Sequence, residues 1–373
     1  MTERRPVVIG GGVAGYSAAR RLAAAGIQPR LVSLSGQVVD RPPLSKSALT
    51  TGQLPVLADA SRLADEGIEL VLGRATAIDP DQLRVRVTSG DGERVVGGSH
   101  LIVATGCSYV APPIPGMGDA IINADPSTLE LLQKRLAGQR RFVVIGGGLV
   151  GVETAAHIRT LGHDVRIVDA LPHPLHRLRP RIRAAVQHEL ARLEITFVSG
   201  ASLTAVEEKA GAYSVRTSVG DFSADVVIAA TGGRPEIPTG LGLAAPVDVD
   251  AAMRVHRLVG VHVVGDVARA QHSRYGRIWM PHWTVATQQA EVAARAVLGE
   301  SATWSAEPHW WSDIADLHIV EYGYAPAALS WDEDDEGVSI GRDGAGAVVC
   351  VTLFNQPTRV REARRMLRPE MIR

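Results

Sequence analysis

The sequence predicts an α/β protein with two parallel-sheet domains and a small α+β domain at its C-terminal end. Two observations predict this fold. A glycine-rich turn between an apolar strand and a helix occurs twice, and short alternating segments begin near Glu307. Both turns have the spacing G-x-G-x-x-G: Gly10, Gly12 and Gly15 in the first copy, and Gly146, Gly148 and Gly151 in the second. This spacing is typical of Rossmann-like dinucleotide-binding domains.

The first turn has the flanking elements that the motif requires. An apolar run from Val7 leads into the glycines, and an alanine-rich helix is predicted over residues 14–25, with Val13 and Ala14 at its start. A helix N-terminus offers free N–H groups and a positive dipole end to phosphates. Two neighbouring sites imply two dinucleotides that meet. A flavin and a nicotinamide are the natural pair, because one passes hydride to the other.

The second strand, predicted over residues 30–34, departs from the usual pattern at its end. A Rossmann unit usually places an Asp or Glu there to bind a ribose, but this sequence has Ser33 and Ser35. Serine hydrogen-bonds a ribose hydroxyl less strongly than a carboxylate does. We therefore expect Ser33 to bind the ribose of the first nucleotide and that nucleotide to be held loosely.

Composition excludes several classes of function. The 373 residues include 39 Lys and Arg against 40 Asp and Glu, so the charge gives no sign of a nucleic-acid partner. No apolar run is long enough to span a membrane, and no signal sequence is recognisable. Cys107 and Cys350 are far apart and form no Cys-x-x-Cys, which predicts a reducing, cytoplasmic setting. His173 and His176 have no companion ligands, so no metal is expected.

Residues 40–46 form a stiff loop that carries two cations. Two prolines, beginning with Pro42, restrict its backbone, and Ser45 is predicted to cap a helix that begins near Lys46. Rigid backbone with Arg41 and Lys46 suits a pyrophosphate and an electron-rich flavin ring. An ordinary solvated loop is the alternative.

This loop, Arg-Pro-Pro-Leu-Ser-Lys between two glycine turns, resembles that of the FAD-dependent ferredoxin reductases of the putidaredoxin reductase and dioxygenase reductase type. The resemblance covers nearly the whole chain. It implies that Arg41 and Pro42 lie near the phosphates of FAD and that Lys46 lies near the reactive ring. It also implies that a turn after the predicted strand at residues 101–103 closes on FAD: Ala104, Thr105 and Gly106.

The second glycine turn is predicted to bind the nicotinamide nucleotide. Asp169 lies 21 positions after Gly148 (169 − 148), where a carboxylate is expected on the adenosine ribose. It would bond the 2′-hydroxyl and repel a 2′-phosphate, so NADH is expected rather than NADPH. The competing observation is a basic run that could receive a phosphate or form a solvated face: Arg177, Arg179, Arg181 and Arg183.

Further residues of the second site follow from the motif and the resemblance. The predicted NAD ligands beside the three glycines are Leu149, Val150, Glu153, Asp169 and Gly232. The resemblance places Glu153 near the hydride path, and the alternative is a first-turn acid that satisfies the helix dipole. We expect Glu153 to meet Lys46 at the flavin, where hydride crosses about 3–3.5 Å.

The part of the chain after residue 235 is then expected to contribute to FAD binding again. The resemblance assigns Asp266 to the ribityl chain, and His282 and Trp283 to the start of a helix whose N–H groups point at the flavin pyrimidine. It assigns Trp311 to a catalytic position flanking the ring. The alternatives are a helix-capping Asp and a buried core Trp. We expect Cys107 to be structural.

The remaining elements complete the secondary-structure prediction. Strands are predicted at residues 83–87, 226–230, 338–340 and 347–353, a closing helix at 359–367 and an acidic loop at 332–336. The predicted domains are an FAD domain of residues 1–111 and 236–305, an NAD domain of residues 112–235 and a cap of residues 306–373. A proline-rich link at residues 112–116 joins the first two domains.

The resemblance implies that hydride passes from NADH to FAD. Because the chain has no Cys-x-x-Cys, electrons would then leave singly to a [2Fe–2S] ferredoxin that serves an oxygenase. The alternatives are a small-molecule acceptor, such as oxygen or a quinone, and a redox-sensing flavoprotein that changes partners. A monomer or homodimer is expected.

Overall fold

The structure is a computed structural model that describes residues 5–109, 111–138, 140–209, 211–334 and 336–367. The outer ends of the first and last predicted domains, residues 1–4 and 368–373, and Asp335 of the predicted acidic loop lie outside the described residues.

The first part of the chain builds a parallel sheet and then a three-stranded antiparallel sheet. Val7, Val8 and Ile9 are fully buried because their strand lies between two neighbours and is covered on both faces. The elements are β1 (Val7–Ile9), α1 (Val13–Ala24), β2 (Arg30–Ser33), β3 (Gln37–Val39), α2 (Ser47–Thr51), β4 (Val56–Asp59), α3 (Ala60–Asp65), β5 (Glu69–Leu72), β6 (Arg74–Asp79), β7 (Arg84–Ser89), β8 (Gly92–Gly97) and β9 (Leu101–Val103).

The second part repeats this plan. Its five-stranded parallel sheet has the order β11-β18-β12-β13-β14, and β15, β16 and β17 form its antiparallel sheet. The elements are β10 (Cys107–Tyr109), β11 (Ile121–Ile122), α4 (Leu129–Arg135), β12 (Arg141–Ile145), α5 (Leu149–Thr160), β13 (Asp164–Val168), α6 (Pro180–Arg192), β14 (Thr196–Val198), β15 (Leu203–Lys209), β16 (Ala212–Thr217), β17 (Gly220–Ala224), β18 (Val226–Ala229) and β19 (Gly233–Pro235).

The third part returns to the first sheet. Its strand β21 pairs with β9, which gives the order β21-β9-β1-β2-β5, and the long helix α7 packs against α1. The elements are β20 (Val247–Val249), β21 (Val261–Val263), β22 (Ala268–His272), β23 (Gly276–Ile278) and α7 (Trp283–Val297).

The last part forms an antiparallel sheet with one helix against it. The strand order is β24-β25-β28-β27-β26, and α8 packs on β28 and β25. The elements are β24 (His309–Ile314), β25 (Leu317–Gly323), β26 (Ser330–Glu333), β27 (Val338–Arg342), β28 (Val348–Phe354) and α8 (Val360–Leu367). The predicted fold class, two Rossmann-like units and a small α+β C-terminal unit, is confirmed.

Some local predictions differ from the structure. The predicted acidic loop is partly strand, because Asp332 and Glu333 belong to β26, an edge strand on which charged side chains reach solvent. The strand predicted from residue 83 begins at Arg84, because Leu83 has a positive φ of 51° that suits the turn before it. Other helix and strand ends shift by a residue or two.

Candidate active site

The surroundings of the first glycine turn explain the positions of its three glycines. A Cβ on Gly10 would lie 2.2 Å from the carbonyl oxygen of Ala104, and a Cβ on Gly15 would lie 1.9 Å from that of Gly10. These contacts leave no room for a side chain. Gly12 differs, because apart from its neighbours in the chain no described residue has an atom within 4 Å of the position of its Cβ. The open space at Gly12, immediately before α1, is where a diphosphate can approach the backbone.

The second glycine turn has the same arrangement. A Cβ on Gly146 would lie 2.4 Å from the carbonyl oxygen of Ala230, and a Cβ on Gly151 would lie 2.1 Å from that of Gly146. The position of a Cβ on Gly148 again has no described atom within 4 Å. Leu149 and Val150 form the first turn of α5, as Val13 and Ala14 do in α1. Both turns therefore fit a dinucleotide.

The carbonyl that each turn approaches belongs to a repeated tripeptide. Ala104-Thr105-Gly106 follows β9, and Ala230-Thr231-Gly232 follows β18. Sequence reasoning identified the first and only Gly232 of the second, although the repeated Ala-Thr-Gly was visible. Immediately after these tripeptides, β10 and β19 pair antiparallel with Cys107 opposite Pro235. Both units therefore close on their glycine turns in the same way.

Ser33 and Asp169 occupy equivalent positions in the two parallel sheets. Ile9 pairs with Val32 in the first sheet and Ile145 with Val168 in the second, so the next residues are Ser33 and Asp169. Ser33 is buried, and its Oγ would lie 2.1 Å from a Cβ on the middle residue of the first turn, Gly11.

Backbone amides orient the Asp169 carboxylate. The N–H of Gly147 donates to Oδ2 at 2.5 Å, and the N–H of Leu171 donates to Oδ1 at 2.7 Å. Each oxygen keeps a further lone pair for a ribose hydroxyl. Asp169 thus shapes the second glycine turn and remains available to a ligand.

Side chains of residues 40–46 bond to several parts of the chain. The indole N–H of Trp283, the first residue of α7, donates to Asp40 at 2.9 Å. Arg41 donates to the carbonyl of Cys107, just after the first Ala-Thr-Gly turn, at 3.2 Å. Pro42 lies in a 3₁₀-helix, Pro42–Ser45, that brings the last residues of the loop to α5.

The prediction that Ser45 caps a helix is wrong. The cap residue of α2 is Lys46, and no side chain caps that helix. The Ser45 hydroxyl instead donates to Oε2 of Glu153 at 2.8 Å. A buried carboxylate needs hydrogen-bond donors more than a short helix at the surface needs a cap.

Lys46 and Glu153 meet, as predicted from the sequence. Nζ of Lys46 lies 3.2 Å from Oε1 of Glu153 and 3.0 Å from Oδ2 of Asp313. Ser312 also donates to Glu153, at 2.5 Å. The side chains of Lys46 and Glu153 are only 18% and 9% exposed, so this ion pair is shielded from solvent. The sequence did not reveal Ser312 and Asp313 as part of this cluster.

An aromatic group lies at the start of α7. His282 precedes the helix and its ring lies 4.6 Å from that of Trp311, edge to face, while the Trp283 ring lies 6.2 Å away. Burial lowers the pKa of His282 to about 4, so the ring is neutral at pH 7. The predicted helix start at Trp283 is confirmed.

Asp266 is a half-buried carboxylate that suits a hydroxylated ligand. It lies inside the 3₁₀-helix Gly265–Val267, so the alternative in which it caps a helix is wrong. Burial raises its pKa, opposed by the charge of Arg41. None of the described residues donates a hydrogen bond to this carboxylate. A Cβ on Gly265 would lie 3.1 Å from that of Ala14, so Asp266 follows a residue that packs against the start of α1, next to the first glycine turn.

The arginine run is only partly a solvated face. Arg179 lies 3.5 Å above the Trp331 ring and 3.6 Å from the buried Glu321 in the C-terminal sheet. Arg181 lies 3.7 Å from Glu333. The solvated-face prediction is wrong for both, because each contacts the C-terminal sheet. Both guanidinium groups are thus engaged by carboxylates of the C-terminal sheet.

The described residues show neither a metal cluster nor a membrane-spanning helix. They contain no group of three or more His, Cys, Asp or Glu side chains that could hold a metal ion. None of their helices is long and apolar enough to cross a membrane.

Comparisons with known proteins identify the family. Residues 4–290 match the pyridine nucleotide-disulphide oxidoreductase family. The ferredoxin–NAD(+) reductase component of the anthranilate 1,2-dioxygenase system of Burkholderia cepacia is 29% identical, over 97% of this chain and 93% of its own. The ferredoxin reductase component of the chlorobenzene dioxygenase of Cupriavidus sp. (strain PS12) is 30% identical, over 83% and 78%.

A solved structure has the same fold. The chain in the covalent putidaredoxin reductase–putidaredoxin complex superposes with a TM-score of 0.87 at 24% identity, over 98% of this chain and 93% of that chain. The fold, the two glycine turns and the relatives agree: this chain belongs to the pyridine nucleotide-disulphide oxidoreductase family and is an oxidoreductase that uses FAD and NADH.

Proposed function

We propose that this protein passes electrons from NADH through FAD to a [2Fe–2S] ferredoxin that serves an oxygenase. The observation that carries the proposal is the shielded pair of Lys46 and Glu153 between the two nucleotide sites. Residues 40–46 reach this point while bonded to Cys107, after the first Ala-Thr-Gly turn, and to Trp283, at the start of α7.

Different residues of the chain have different roles in this reaction. The first glycine turn and Asp266 hold FAD, and the second turn and Asp169 hold NADH. FAD, when bound, accepts two electrons as hydride and can release them one at a time. Lys46 places a positive charge where negative charge develops, and Glu153 holds Lys46 in place. His282 and Trp311 cover this end of the site, and the neutral imidazole adds no competing charge.

The cysteines support an external electron acceptor. Cys107 and Cys350 are both buried and unpaired, so they form no disulfide to receive electrons. Burial raises the pKa of Cys107 to about 12, which keeps it a thiol. The relatives that are ferredoxin reductase components of dioxygenase systems support a ferredoxin as the acceptor.

We also propose the domain division predicted from the sequence: residues 1–111 and 236–305 for FAD, 112–235 for NAD, and 306–373 as a cap. The pairing of β10 with β19 supports the two junctions between the first two domains. The assignment of Pro42, Gly106, Trp283 and the other site residues to each cofactor is part of this proposal. The cytoplasmic setting and a monomer or homodimer stay predictions.

Spectra and electron transfer test the proposal. The purified protein should show a flavin spectrum that NADH bleaches without oxygen, and an added [2Fe–2S] ferredoxin should then restore it while becoming reduced. Rapid NADH consumption with oxygen or a quinone alone would favour the small-molecule acceptor. A long-lived bleached complex that no acceptor reoxidises would favour the redox sensor.

Substitution of Lys46 tests the site itself. Lys46→Met should slow flavin reduction by NADH by roughly 10²-fold while FAD stays bound, because one charged group that stabilises the transition state is lost. Glu153→Gln should slow it less, since Asp313 still holds Lys46. Stopped-flow absorbance measures both rates.

The matched control is Lys209→Met, on an exposed strand of the second antiparallel sheet. Rates equal to wild type in both Lys46→Met and Glu153→Gln would place the chemistry elsewhere.

A further inference from the structure

Lys46 has a second carboxylate partner, supplied by the C-terminal sheet. Oδ2 of Asp313 lies 3.0 Å from Nζ of Lys46, as close as Oε1 of Glu153 at 3.2 Å. The two carboxylates differ in environment, because the Glu153 side chain is 9% exposed and that of Asp313 is 43% exposed. The ammonium is therefore shared between a buried anion and one that reaches solvent.

His318 holds this second carboxylate. Its Nδ1 bonds Oδ1 of Asp313, the oxygen that does not face Lys46. Asp313 on β24 and His318 on β25 are paired directly across the two strands, so the sheet register fixes the contact. Asn355 anchors the backbone of His318 by accepting from its N–H at 2.6 Å and donating to its carbonyl at 2.8 Å.

The charges around Asp313 favour its ionised form. Burial opposes ionisation, but the hydrogen bond from His318 and the charge of Lys46 outweigh it, and the pKa of Asp313 lies below its usual value. An ionised Asp313 neutralises part of the positive charge of Lys46. The charge that Lys46 presents to its surroundings then depends on Asp313 as well as on Glu153.

We propose that Asp313 and His318 are positioning residues for Lys46: Asp313 draws the ammonium towards the solvent side and limits its positive charge, and His318 keeps Asp313 in place. Through Lys46 they set how strongly the site stabilises negative charge on the reduced flavin. The inference rests on the proposed function, because it requires FAD beside Lys46.

The sign of the effect distinguishes this role from a structural one. Asp313→Asn removes a negative charge beside Lys46, so the reduced flavin is stabilised and its midpoint potential shifts to more positive values. Lys46→Met removes the positive charge and shifts the potential the opposite way. His318→Ala should shift it in the same direction as Asp313→Asn but less, and His318→Gln, which keeps a donor, should restore much of the wild-type value.

Spectroelectrochemical titration of the purified flavoprotein at low salt measures these potentials without NADH or ferredoxin, so the readout does not depend on turnover. Asp316→Asn is the matched control. Asp316 lies in the turn between the same two strands, its side chain is 83% exposed, and it contacts Arg192 at 2.7 Å instead of Lys46. It removes the same charge nearby without touching the cluster.

A positive shift in Asp313→Asn, with Asp316→Asn at the wild-type value, supports the proposal. Equal potentials in the two variants, or a negative shift in Asp313→Asn, overturn it. If Asp313→Asn does not fold, the two His318 variants decide, and His318→Ala at the wild-type potential overturns the proposal. A wild-type protein that binds no FAD, or whose flavin NADH does not reduce, would instead refute the proposed function.

Discussion

Ser33 and Asp169 occupy the same place in two copies of one structural unit, but only Asp169 carries a charge. Asp169 accepts a hydrogen bond from the backbone N–H of Gly147, and its charge is expected to favour a ribose with a free 2′-hydroxyl. Ser33 packs against Gly11 and offers only a hydroxyl. We therefore expect the residue at this position to influence both the strength of nucleotide binding and the kind of nucleotide bound.

Adding a carboxylate at Ser33 should tighten FAD binding. Ser33→Asp is expected to lower the dissociation constant of FAD roughly tenfold, about 1.4 kcal/mol, the size of one hydrogen bond to a charged group. Fluorescence titration of the apoprotein with FAD measures the change. Ser35→Asp is the control, because Ser35 is exposed and its hydroxyl bonds the backbone of Gln37. If Ser35→Asp also binds FAD more tightly than wild type, the added negative charge is responsible and not its position at residue 33.

Removing the carboxylate at Asp169 should weaken the preference for NADH. Asp169→Ala is expected to shift the ratio of kcat/KM for NADH over NADPH by roughly 10–100-fold, about 1–3 kcal/mol, because the repulsion of a 2′-phosphate is lost. Asp169→Asn removes the charge but keeps one acceptor oxygen, so it retains only one of the two bonds from the N–H groups of Gly147 and Leu171 and disturbs the turn less than Asp169→Ala does. A wild-type protein that already prefers NADPH contradicts the assignment.

At the level of elements, the start of α6 connects the second nucleotide-binding unit to the C-terminal sheet. Arg179 lies at the cap position of α6 and inserts between Glu321 and the Trp331 ring. Glu321 is buried and also accepts hydrogen bonds from Trp310 and Thr352. This contact positions β24, and with it Ser312 and Asp313, beside Lys46.

Breaking the contact should destabilise the protein. Arg179→Met leaves Glu321 buried without its cation and is expected to lower the free energy of unfolding by about 3–5 kcal/mol. Urea unfolding followed by tryptophan fluorescence measures it. Arg177→Met, an exposed neighbour, should stay within about 0.5 kcal/mol of wild type. If Arg179→Met and Arg177→Met unfold alike, Arg179 does not hold the sheet.

The elements also show what the sequence could and could not predict. The glycine turns and their strands were predictable because each motif lies within about a dozen neighbouring residues and depends on local backbone geometry. The bond from Ser45 to Glu153 was not, because its partners are 108 positions apart and the family resemblance, which gives Lys46 and Glu153 a common site, gives Ser45 no role. The prediction that Arg179 lies on a solvated face was wrong for the same reason, because its contacts lie on strands more than a hundred residues later.

On the scale of the whole molecule, the two nucleotide-binding units and the C-terminal sheet each contribute one charged residue to a common site. The first unit supplies Lys46, the second supplies Glu153, and the C-terminal sheet supplies Asp313. Each group belongs to a different part of the chain, so the cluster forms only when all three parts are folded and packed.

The buried histidines should make this assembly sensitive to acid. Burial lowers the pKa of His262 to about 4, against about 6.5 for an unfolded chain. The unfolded state therefore binds more protons between these values, and stability falls as pH drops through that range, by up to about 3 kcal/mol for this group. Thermal melting at several pH values should show a shallower fall in His262→Gln.

His256→Gln, an exposed histidine in the same part of the chain, is the control and should keep the wild-type pH dependence. Equal dependence in wild type and His262→Gln would mean that other groups cause the acid sensitivity.

The antiparallel pairing of β10 with β19 has an evolutionary consequence. Because Cys107 lies opposite Pro235, the chain leaves the first unit and returns to it at two points about 5 Å apart. An inserted unit would join the first unit at two adjacent strand ends, and it would also have to keep the contacts of Glu153 with Lys46 and of Arg179 with Glu321. Duplication of an ancestral gene followed by insertion of one copy into the other would create such a junction. A second unit with a different nucleotide preference could be inserted at the same pair of strands, β10 and β19.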